Sequence, residues 1–407
     1  MTTIESLIGI ARRYGASDIH LEAGMPVALR VRGQLKVMEQ PVSAQEMHSM
    51  AKHLVGDAQW HDFMERRSFD CSTTVSGIRC RVNALHTARG IGMVIRLFSS
   101  FRATLKSLNL HPDLRSLIQH RHGLILVCGP TGSGKSSTIA ALIEEINLKE
   151  ARHIVSIENP IEYAFKPRYS FIRQREVGRD TPSFEQGLLD TLREDPNVVM
   201  VGEMREPETM RLTLNIAETG HLVLTTMHSS SAAEALQRFV SGFPPQVQSA
   251  VCAQLADCLV AVICQRLTYR EDLGMRIPEC EILTANTGVR GIIRQNNFFK
   301  LASALETGRS DGMWTFTRYR DWLDRKGDWS FPVENDSESI DLTPRPVQSV
   351  VTERPAPPPS RAKRSPQEHP TKRKPPRAPS AQREDGVFVL EPAEEDLDDI
   401  ISALKKI

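Results

Sequence analysis

The sequence predicts an α/β protein, with an α+β domain ahead of the α/β domain and a disordered tail behind it. From residue 123, short apolar runs alternate with stretches of helical periodicity, which is the order of a parallel sheet wrapped by helices. A glycine-rich segment separates the first of these runs from the first of these helices. From Phe331 the composition changes to proline, serine and charged residues, which cannot bury enough apolar surface to fold.

The α+β domain is predicted over residues 1–100. It opens with a helix from Thr3 to Tyr14 and continues through alternating polar and apolar segments, such as Val27–Val37 and Gly77–Leu85, which predict strands. Residues 101–122 are predicted to form a linker and a connecting helix.

The α/β domain is predicted over residues 123–330. Short apolar runs bounded by turn residues suit the buried strands of a parallel sheet. The predicted strands are Leu124–Cys128, Ile154–Ile157, Val198–Val201 and Leu222–Thr226. We expect helices to dominate residues 246–326, including one from Ser249 to Leu267.

The formal net charge of +1 hides an uneven distribution of charge. Nine Lys or Arg residues against one Glu between Arg354 and Arg383 give that stretch a charge of +8 and leave −7 for the remainder. Residues 331–386 are therefore predicted as a disordered, proline-rich basic linker. Two interpretations stay open, a solvated tether and a segment that binds an anionic membrane surface. No nucleic acid is expected as a partner, because the basic stretch has no aromatic side chains on which bases could stack.

The end of the chain, residues 387–407, is predicted as an amphipathic helix. Its acidic residues come first and its lysines last, as the helix dipole favours. The apolar face consists of Leu397, Ile400, Ile401, Leu404 and Ile407. The two open interpretations are a docking helix on a tether and a tail that packs nowhere.

Composition also bears on the compartment. The N-terminus lacks a basic region followed by an apolar one, and no apolar stretch approaches the roughly 20 residues that span a bilayer. We therefore expect a cytoplasmic protein. The seven cysteines include no Cys-x-x-Cys pair, which favours buried free thiols over disulfides or a zinc site.

The glycine-rich segment fits the phosphate-binding P-loop at every fixed position, between an apolar strand and a helix. Its glycines let backbone N–H groups turn towards phosphate, Lys135 supplies positive charge, and the Ser136 hydroxyl can ligate magnesium. The candidate binding residues are Gly129, Pro130, Thr131, Gly132, Ser133, Gly134, Lys135, Ser136 and Ser137. The sequence thus predicts a site for a nucleoside triphosphate and Mg²⁺.

Two carboxylates follow predicted strands. Glu158 ends one strand and Glu203 follows another, so both should lie at the carboxyl edge of the sheet, where open α/β folds bind ligands. Phosphoryl transfer to water needs one carboxylate near magnesium and one that orients the water. We predict Glu203 as a magnesium ligand and both carboxylates as catalytic. His221 and His228 flank a third strand, and His228 is the better placed to reach the γ-phosphate.

Seven motifs occur in the order typical of one family. They are Ala16-Ser-Asp-Ile-His20, Arg81-Val-Asn83, the P-loop, Ser156-Ile-Glu-Asn-Pro-Ile-Glu162, Leu192-Arg-Glu-Asp-Pro196, Val201-Gly-Glu-Met-Arg205, and Ala217-Glu-Thr-Gly-His-Leu222 through His228. Over residues 1–330 the chain resembles the type II/type IV secretion and pilus ATPase superfamily, and within it the PilT-like retraction motors.

The resemblance implies a PAS-like N-terminal domain, a RecA-like P-loop ATPase domain and a homohexameric ring with ATP between the two domains of each subunit. It implies catalytic roles for Glu158, Glu203 and His228, and phosphate contacts for N-domain arginines among Arg81, Arg89 and Arg96; a guanidinium suits the charge of a transferred phosphoryl group. Implied partners are an inner-membrane pilus platform protein and a paralogous pilus motor, with the ring attached peripherally to the inner membrane at the pilus base.

Three departures from the family pattern leave questions open. One is Gly288-Val-Arg290, where retraction motors usually have Ala-Ile-Arg, which leaves open how nucleotide turnover is coupled to pilus disassembly. The family motif usually has Asp where this chain has Asn159, which removes a negative charge near the nucleotide and leaves the turnover rate open. A weakly hydrolysing accessory subunit is therefore one alternative to a retraction motor. An extension or type II secretion ATPase is another, but such motors usually carry a four-cysteine zinc module, and this chain has no Cys-x-x-Cys pair. The basic tail also extends past the usual end of the family.

Overall fold

The computed structural model describes residues 3–31, 33–98 and 102–331. The predicted end helix and nearly all of the predicted linker lie outside these residues. The first part of the chain contains α1 (Ile4–Arg13), β1 (Ala16–Glu22), β2 (Pro26–Val31), β3 (Gln34–Pro41), α2 (Ala44–Val55), α3 (Asp57–Arg66), β4 (Ser68–Val75), β5 (Ile78–Thr87) and β6 (Gly90–Leu97).

The second part begins with a short helix and alternates strands with helices. Its elements are α4 (Leu114–Leu117), β7 (Gly123–Cys128), α5 (Lys135–Asn147), β8 (His153–Glu158), β9 (Phe171–Glu176), α6 (Phe184–Thr191), β10 (Val198–Val201), α7 (Pro207–Glu218), β11 (Leu222–Met227), α8 (Ala232–Ser241), α9 (Gln248–Cys258), β12 (Leu259–Arg270), β13 (Met275–Thr284), α10 (Thr287–Arg294), α11 (Leu301–Thr307) and α12 (Phe316–Arg325). Two 3₁₀ turns, Phe298–Lys300 and Gly308–Asp311, flank α11. Among the described residues, no helix combines the length and apolarity that crossing a membrane requires.

The N-terminal sheet has six antiparallel strands in the order β3-β2-β1-β6-β5-β4. Helices α1 to α3 pack on one face over an apolar core. The predicted first helix is confirmed as α1, with the Thr3 hydroxyl accepting a hydrogen bond from the Ser6 N–H as its N-cap. The other face carries polar side chains from β4, β5 and β6 and contacts the P-loop domain.

The second sheet has seven strands in the order β13-β12-β7-β11-β10-β8-β9, all parallel except β13. Strands β7, β10 and β11 are buried along their whole length, because helices cover both faces of a parallel sheet. The four strands predicted from sequence are confirmed as β7, β8, β10 and β11, each within one residue at either end. The predicted α/β fold class is thus confirmed.

The predicted helix from Ser249 to Leu267 is wrong in its second half. Helix α9 ends at Cys258, and Leu259 begins a strand that pairs in parallel with β7 and then turns back as the antiparallel β13. The run Leu259–Cys264 is buried at every residue and rich in β-branched side chains. A short, continuous apolar run has no periodicity that separates a buried strand from a buried helix, so tertiary pairing decided the outcome.

A buried polar network joins the two sheets within one compact unit. Glu176, at the end of β9, accepts hydrogen bonds from Arg79 Nη2 (3.0 Å), from Ser72 N–H (3.1 Å) and from Ile161 N–H (3.1 Å). The Ser72 hydroxyl also donates to Glu176, and Arg79 Nε donates to the Ile161 carbonyl (3.1 Å). Arg79 and Glu176 are only 7% and 3% exposed. We call these four residues the interdomain clasp.

Removing one member of the clasp should destabilise the protein strongly. Arg79→Ala leaves the Glu176 carboxylate buried without its countercharge, and we expect the free energy of unfolding to fall by about 3 to 5 kcal/mol. The matched control is Arg81→Ala on the same strand. Its partner Asp70 is partly exposed, so the loss should be about 1 kcal/mol or less. Denaturant unfolding followed by circular dichroism measures both, and equal losses would contradict the role of the clasp.

Candidate functional site

The P-loop runs from the end of β7 to the start of α5 and packs closely against β12. Gly129 has φ +150°, and a Cβ there would lie 2.3 Å from the Gln265 carbonyl oxygen and 2.5 Å from Ser133 Oγ. Gly134 has φ +87°, and a Cβ there would lie 2.8 Å from Gln265 Nε2. Neither position has room for a side chain, so the glycines are required by the close approach of loop and strand.

Gln265 holds the loop in place from β12. Its Nε2 donates to the Ser133 carbonyl (2.7 Å), and its Oε1 accepts from the Thr138 hydroxyl (2.6 Å) on α5. The side chain is 3% exposed. Sequence reasoning missed this residue, because it lies in the segment predicted as a helix; the β-branched enrichment of Leu259–Cys264 was the available signal for a strand.

The loop presents groups that fit an anionic ligand. Lys135 Nζ donates to the carbonyls of Gly129 (2.9 Å) and Pro130 (3.0 Å), which holds the ammonium at the mouth of the loop. Burial lowers the pKa of Lys135, and the charge of Glu203 opposes that effect. The buried Ser133 hydroxyl has no hydrogen-bond partner among the described residues. The Lys135 ammonium at the mouth of the loop is chemically suited to phosphate oxygens.

Strand register brings the predicted carboxylates to the same edge of the sheet as the loop. Val201 is paired with Ile157 on one side and Thr225 on the other, so Glu158, Glu203 and the residues after β11 leave the sheet together. His228 follows β11, whereas His221 precedes it and lies at the opposite edge. His221 Nδ1 instead contacts the Ile216 carbonyl (3.0 Å).

Glu203 is paired with two cationic or titratable side chains. Arg205 Nη2 lies 2.8 Å from one carboxylate oxygen, and His228 Nε2 lies 3.0 Å from the other. Partial burial raises the pKa of Glu203, but the hydrogen bond and charge of Arg205, together with His228, outweigh burial and bring it below its ordinary value. Glu203 is thus ionised at neutral pH.

The donor set fits the predicted magnesium ion. A serine hydroxyl at Ser136 and the ionised Glu203 carboxylate are the hard oxygen ligands that magnesium prefers. In the parts of the chain that the structure covers, no three His, Cys, Asp or Glu side chains cluster as a metal site. Magnesium typically uses one or two protein oxygens and completes its shell with phosphate and water.

Glu158 is buried, with 5% of its surface exposed. Burial raises its pKa to about 7, although hydrogen bonds from Ser156 and Gln174 act in the opposite direction. The chain then crosses back towards the P-loop, where the Tyr163 and Ser137 hydroxyls lie 2.7 Å apart. This contact ties the segment that carries Glu158 to the first turn of α5. Neither Tyr163 nor Gln174 is marked by any local signal in the sequence.

Two of the predicted arginines, Arg81 and Arg96, lie on the polar face of the N-terminal sheet as direct cross-strand partners. Arg89 lies in the turn between β5 and β6 instead. Arg81 makes a two-pronged contact with Asp70, which raises its pKa, and the charges of Glu162 and Glu176 add to that effect. Arg96 Nε lies 2.8 Å from the buried Asp18. Arg81 and Arg96 are thus both paired with carboxylates of their own sheet, Asp70 on β4 and Asp18 on β1.

A family model described as type II/IV secretion system protein matches residues 1–298 of the chain. The chain belongs to this family. It is 39% identical over 326 residues to the type IV pilus retraction ATPase PilT of Pseudomonas aeruginosa, which covers 80% of this chain and 94% of the relative. A twitching motility protein of Neisseria gonorrhoeae is 40% identical over 301 residues, which is 74% of this chain and 80% of that protein.

A solved structure gives the same match in three dimensions. The crystal structure of the pilus retraction motor PilT with bound ADP superposes with a TM-score of 0.71 at 36% identity, covering 80% of this chain and 100% of that chain. The similarity spans both sheets and not the P-loop domain alone, since so large a share of either chain is aligned. The resemblance predicted from the motifs is confirmed.

The pKa of Glu158 predicts how activity depends on pH. A catalytic base must be deprotonated, so ATP hydrolysis should fall as pH is lowered through about 7, where the buried Glu158 takes up a proton. The measurement is the steady-state rate of phosphate release between about pH 5.5 and pH 8.5. Glu158→Gln should bind nucleotide but lose hydrolysis at every pH. A wild-type rate that is flat across this range would contradict Glu158 as the base.

Proposed function

We propose that the chain is an ATP-hydrolysing motor that drives retraction of a type IV pilus. The observation that carries the proposal is similarity to a pilus retraction ATPase over nearly that protein's whole length, together with a P-loop whose edge gathers Glu158, Glu203 and His228. A shared P-loop domain alone would support only nucleotide binding. Similarity that extends through the N-terminal sheet supports the motor.

The reaction proposed is attack of water on the γ-phosphorus of ATP, with the P–O bond to ADP breaking. Glu158 accepts the proton of the attacking water, and Lys135 neutralises charge on the β and γ oxygens. Ser136 and Glu203 would hold Mg²⁺, which would further neutralise the phosphate charge. His228, held by Glu203 at 3.0 Å, lies beside the same edge and is proposed to sense the γ-phosphate.

The N-terminal sheet is proposed to approach the phosphates from the opposite side. Arg81 and Arg96 lie on its polar face. The clasp joins this face to the P-loop domain of the same chain. An arginine that reaches a transferred phosphoryl group stabilises charge in the transition state. Nucleotide that binds the closed arrangement more tightly than the open one biases the equilibrium between them, which is the source of mechanical work.

Assembly and location are proposed from the family. We propose a homohexamer at the cytoplasmic face of the inner membrane, acting on a pilus platform protein and sharing its task with a paralogous motor. The basic stretch between Arg354 and Arg383 is proposed to contact anionic lipid, since clustered Lys and Arg residues contribute about 1 kcal/mol each near such a surface.

One observation favours a second candidate, an accessory subunit that hydrolyses ATP slowly. Asn159 follows Glu158 directly, is exposed, and carries no charge where the family usually has a carboxylate. The loss of charge there changes the electrostatic field around Glu158 without removing Glu158 itself. The two candidates therefore share a site and differ in turnover.

Deletion of the gene distinguishes retraction from extension. The retraction motor predicts cells that keep surface pili, seen by electron microscopy, but lose twitching motility and visible pilus shortening. Complementation with the wild-type gene should restore shortening, whereas a Lys135→Ala gene should not, because it lacks the ammonium proposed to neutralise the phosphate charge. Cells without any surface pili after deletion would contradict retraction and favour an extension or secretion motor.

A further inference from the structure

The carboxylate of Glu158 is held unevenly. The Ser156 hydroxyl (2.6 Å) and Gln174 Nε2 (3.1 Å) both donate to the same oxygen, Oε1. Within the described part of the chain, Oε2 receives no hydrogen bond. Two donors on one oxygen fix the plane of the carboxylate and leave the lone pairs of the other oxygen available.

Gln174 is itself held in one orientation. Its Oε1 accepts the Phe165 N–H (2.9 Å), and its Nε2 donates to the Tyr163 carbonyl (2.8 Å) as well as to Glu158. A flipped amide would set Nε2 against an N–H and Oε1 against a carbonyl, so only one orientation satisfies all three contacts. The amide N–H directed at Glu158 is therefore preset by the backbone of the loop after β8.

Ser156 is also held in a fixed position. It lies two residues before Glu158 on β8, so both side chains point to the same face of the sheet, and it is 1% exposed. Its hydroxyl donates a hydrogen bond to Glu158. The two donors thus come from neighbouring parallel strands, β8 and β9, where residues 156 and 174 are register partners.

The surrounding charges make neutral donors necessary. Glu162 and Glu176 place negative charge near Glu158, and burial also disfavours its ionised form. The positive charge of Arg79, on the N-terminal sheet, acts on Glu158. However, Arg79 is hydrogen-bonded to Glu176 in the clasp. The hydrogen bonds from Ser156 and Gln174 to the ionised carboxylate oppose its protonation.

We propose that Ser156 and Gln174 are positioning residues for hydrolysis, which fix Oε1 of Glu158 and so present Oε2 to the attacking water. This inference rests on the proposed function, in which Glu158 is the base. The pair orients the Glu158 carboxylate and lowers its affinity for a proton, and neither residue touches the reacting atoms.

The test compares Ser156→Ala with Ser156→Thr, which removes and keeps the hydroxyl. For the alanine variant we expect kcat for ATP to fall about 10-fold, KM to stay within about twofold, and the acidic limb of the kcat profile to move up by about one pH unit. The threonine variant should recover the wild-type limb. Gln174→Leu, which removes the second donor, should shift the limb in the same direction. Binding of a fluorescent ATP analogue and thermal unfolding show which variants are folded.

The possible outcomes distinguish this inference from the proposed function on which it rests. An unshifted limb in folded Ser156→Ala or Gln174→Leu, with Glu158→Gln inactive, overturns the positioning role and leaves the motor intact. A loss of stability and nucleotide affinity without a shifted limb likewise overturns it, because that is the result of a merely structural role. If Glu158→Gln hydrolyses ATP as fast as wild type, the proposed base is wrong, and the positioning role fails with it.

Discussion

The parallel pairing of four strands is the constraint on which the site depends. In the order β7-β11-β10-β8, each strand is in register with its neighbour, so all four end at one edge of the sheet. The P-loop, His228 and Glu203 follow three of these strands, and Glu158 is the last residue of the fourth. A slip of one residue in any pairing would turn the strand's side chains to the opposite face and separate the groups.

The interdomain clasp extends this constraint to the N-terminal sheet. Glu176 ends β9 and accepts hydrogen bonds from both domains, while Arg79 reaches the Ile161 carbonyl in the segment after Glu158. The clasp is buried, so it cannot exchange its partners for water without a large cost. The N-terminal sheet is therefore hydrogen-bonded to the segment that directly follows the proposed base, Glu158, at the end of β8.

Sequence predicted the parts of the site that depend on local order and not those that depend on tertiary contact. Glu158, Glu203 and His228 follow recognisable buried strands, so their common edge could be predicted from strand ends alone. Gln174 and Gln265 act through partners in other elements, and nothing in their neighbours marks them. The mistaken helix over Leu259–Leu267 has the same origin, because only pairing with β7 makes that run a strand.

The central claim is that this edge of the sheet hydrolyses ATP at the rate of a motor. The most direct measurement is the steady-state ATPase turnover of the purified full-length chain beside Glu203→Ala, with nucleotide binding measured for both. We predict turnover by the wild type and its loss, by about 100-fold or more, in a variant that still binds ATP. Equal and negligible rates for the two proteins would contradict the motor and support the accessory subunit.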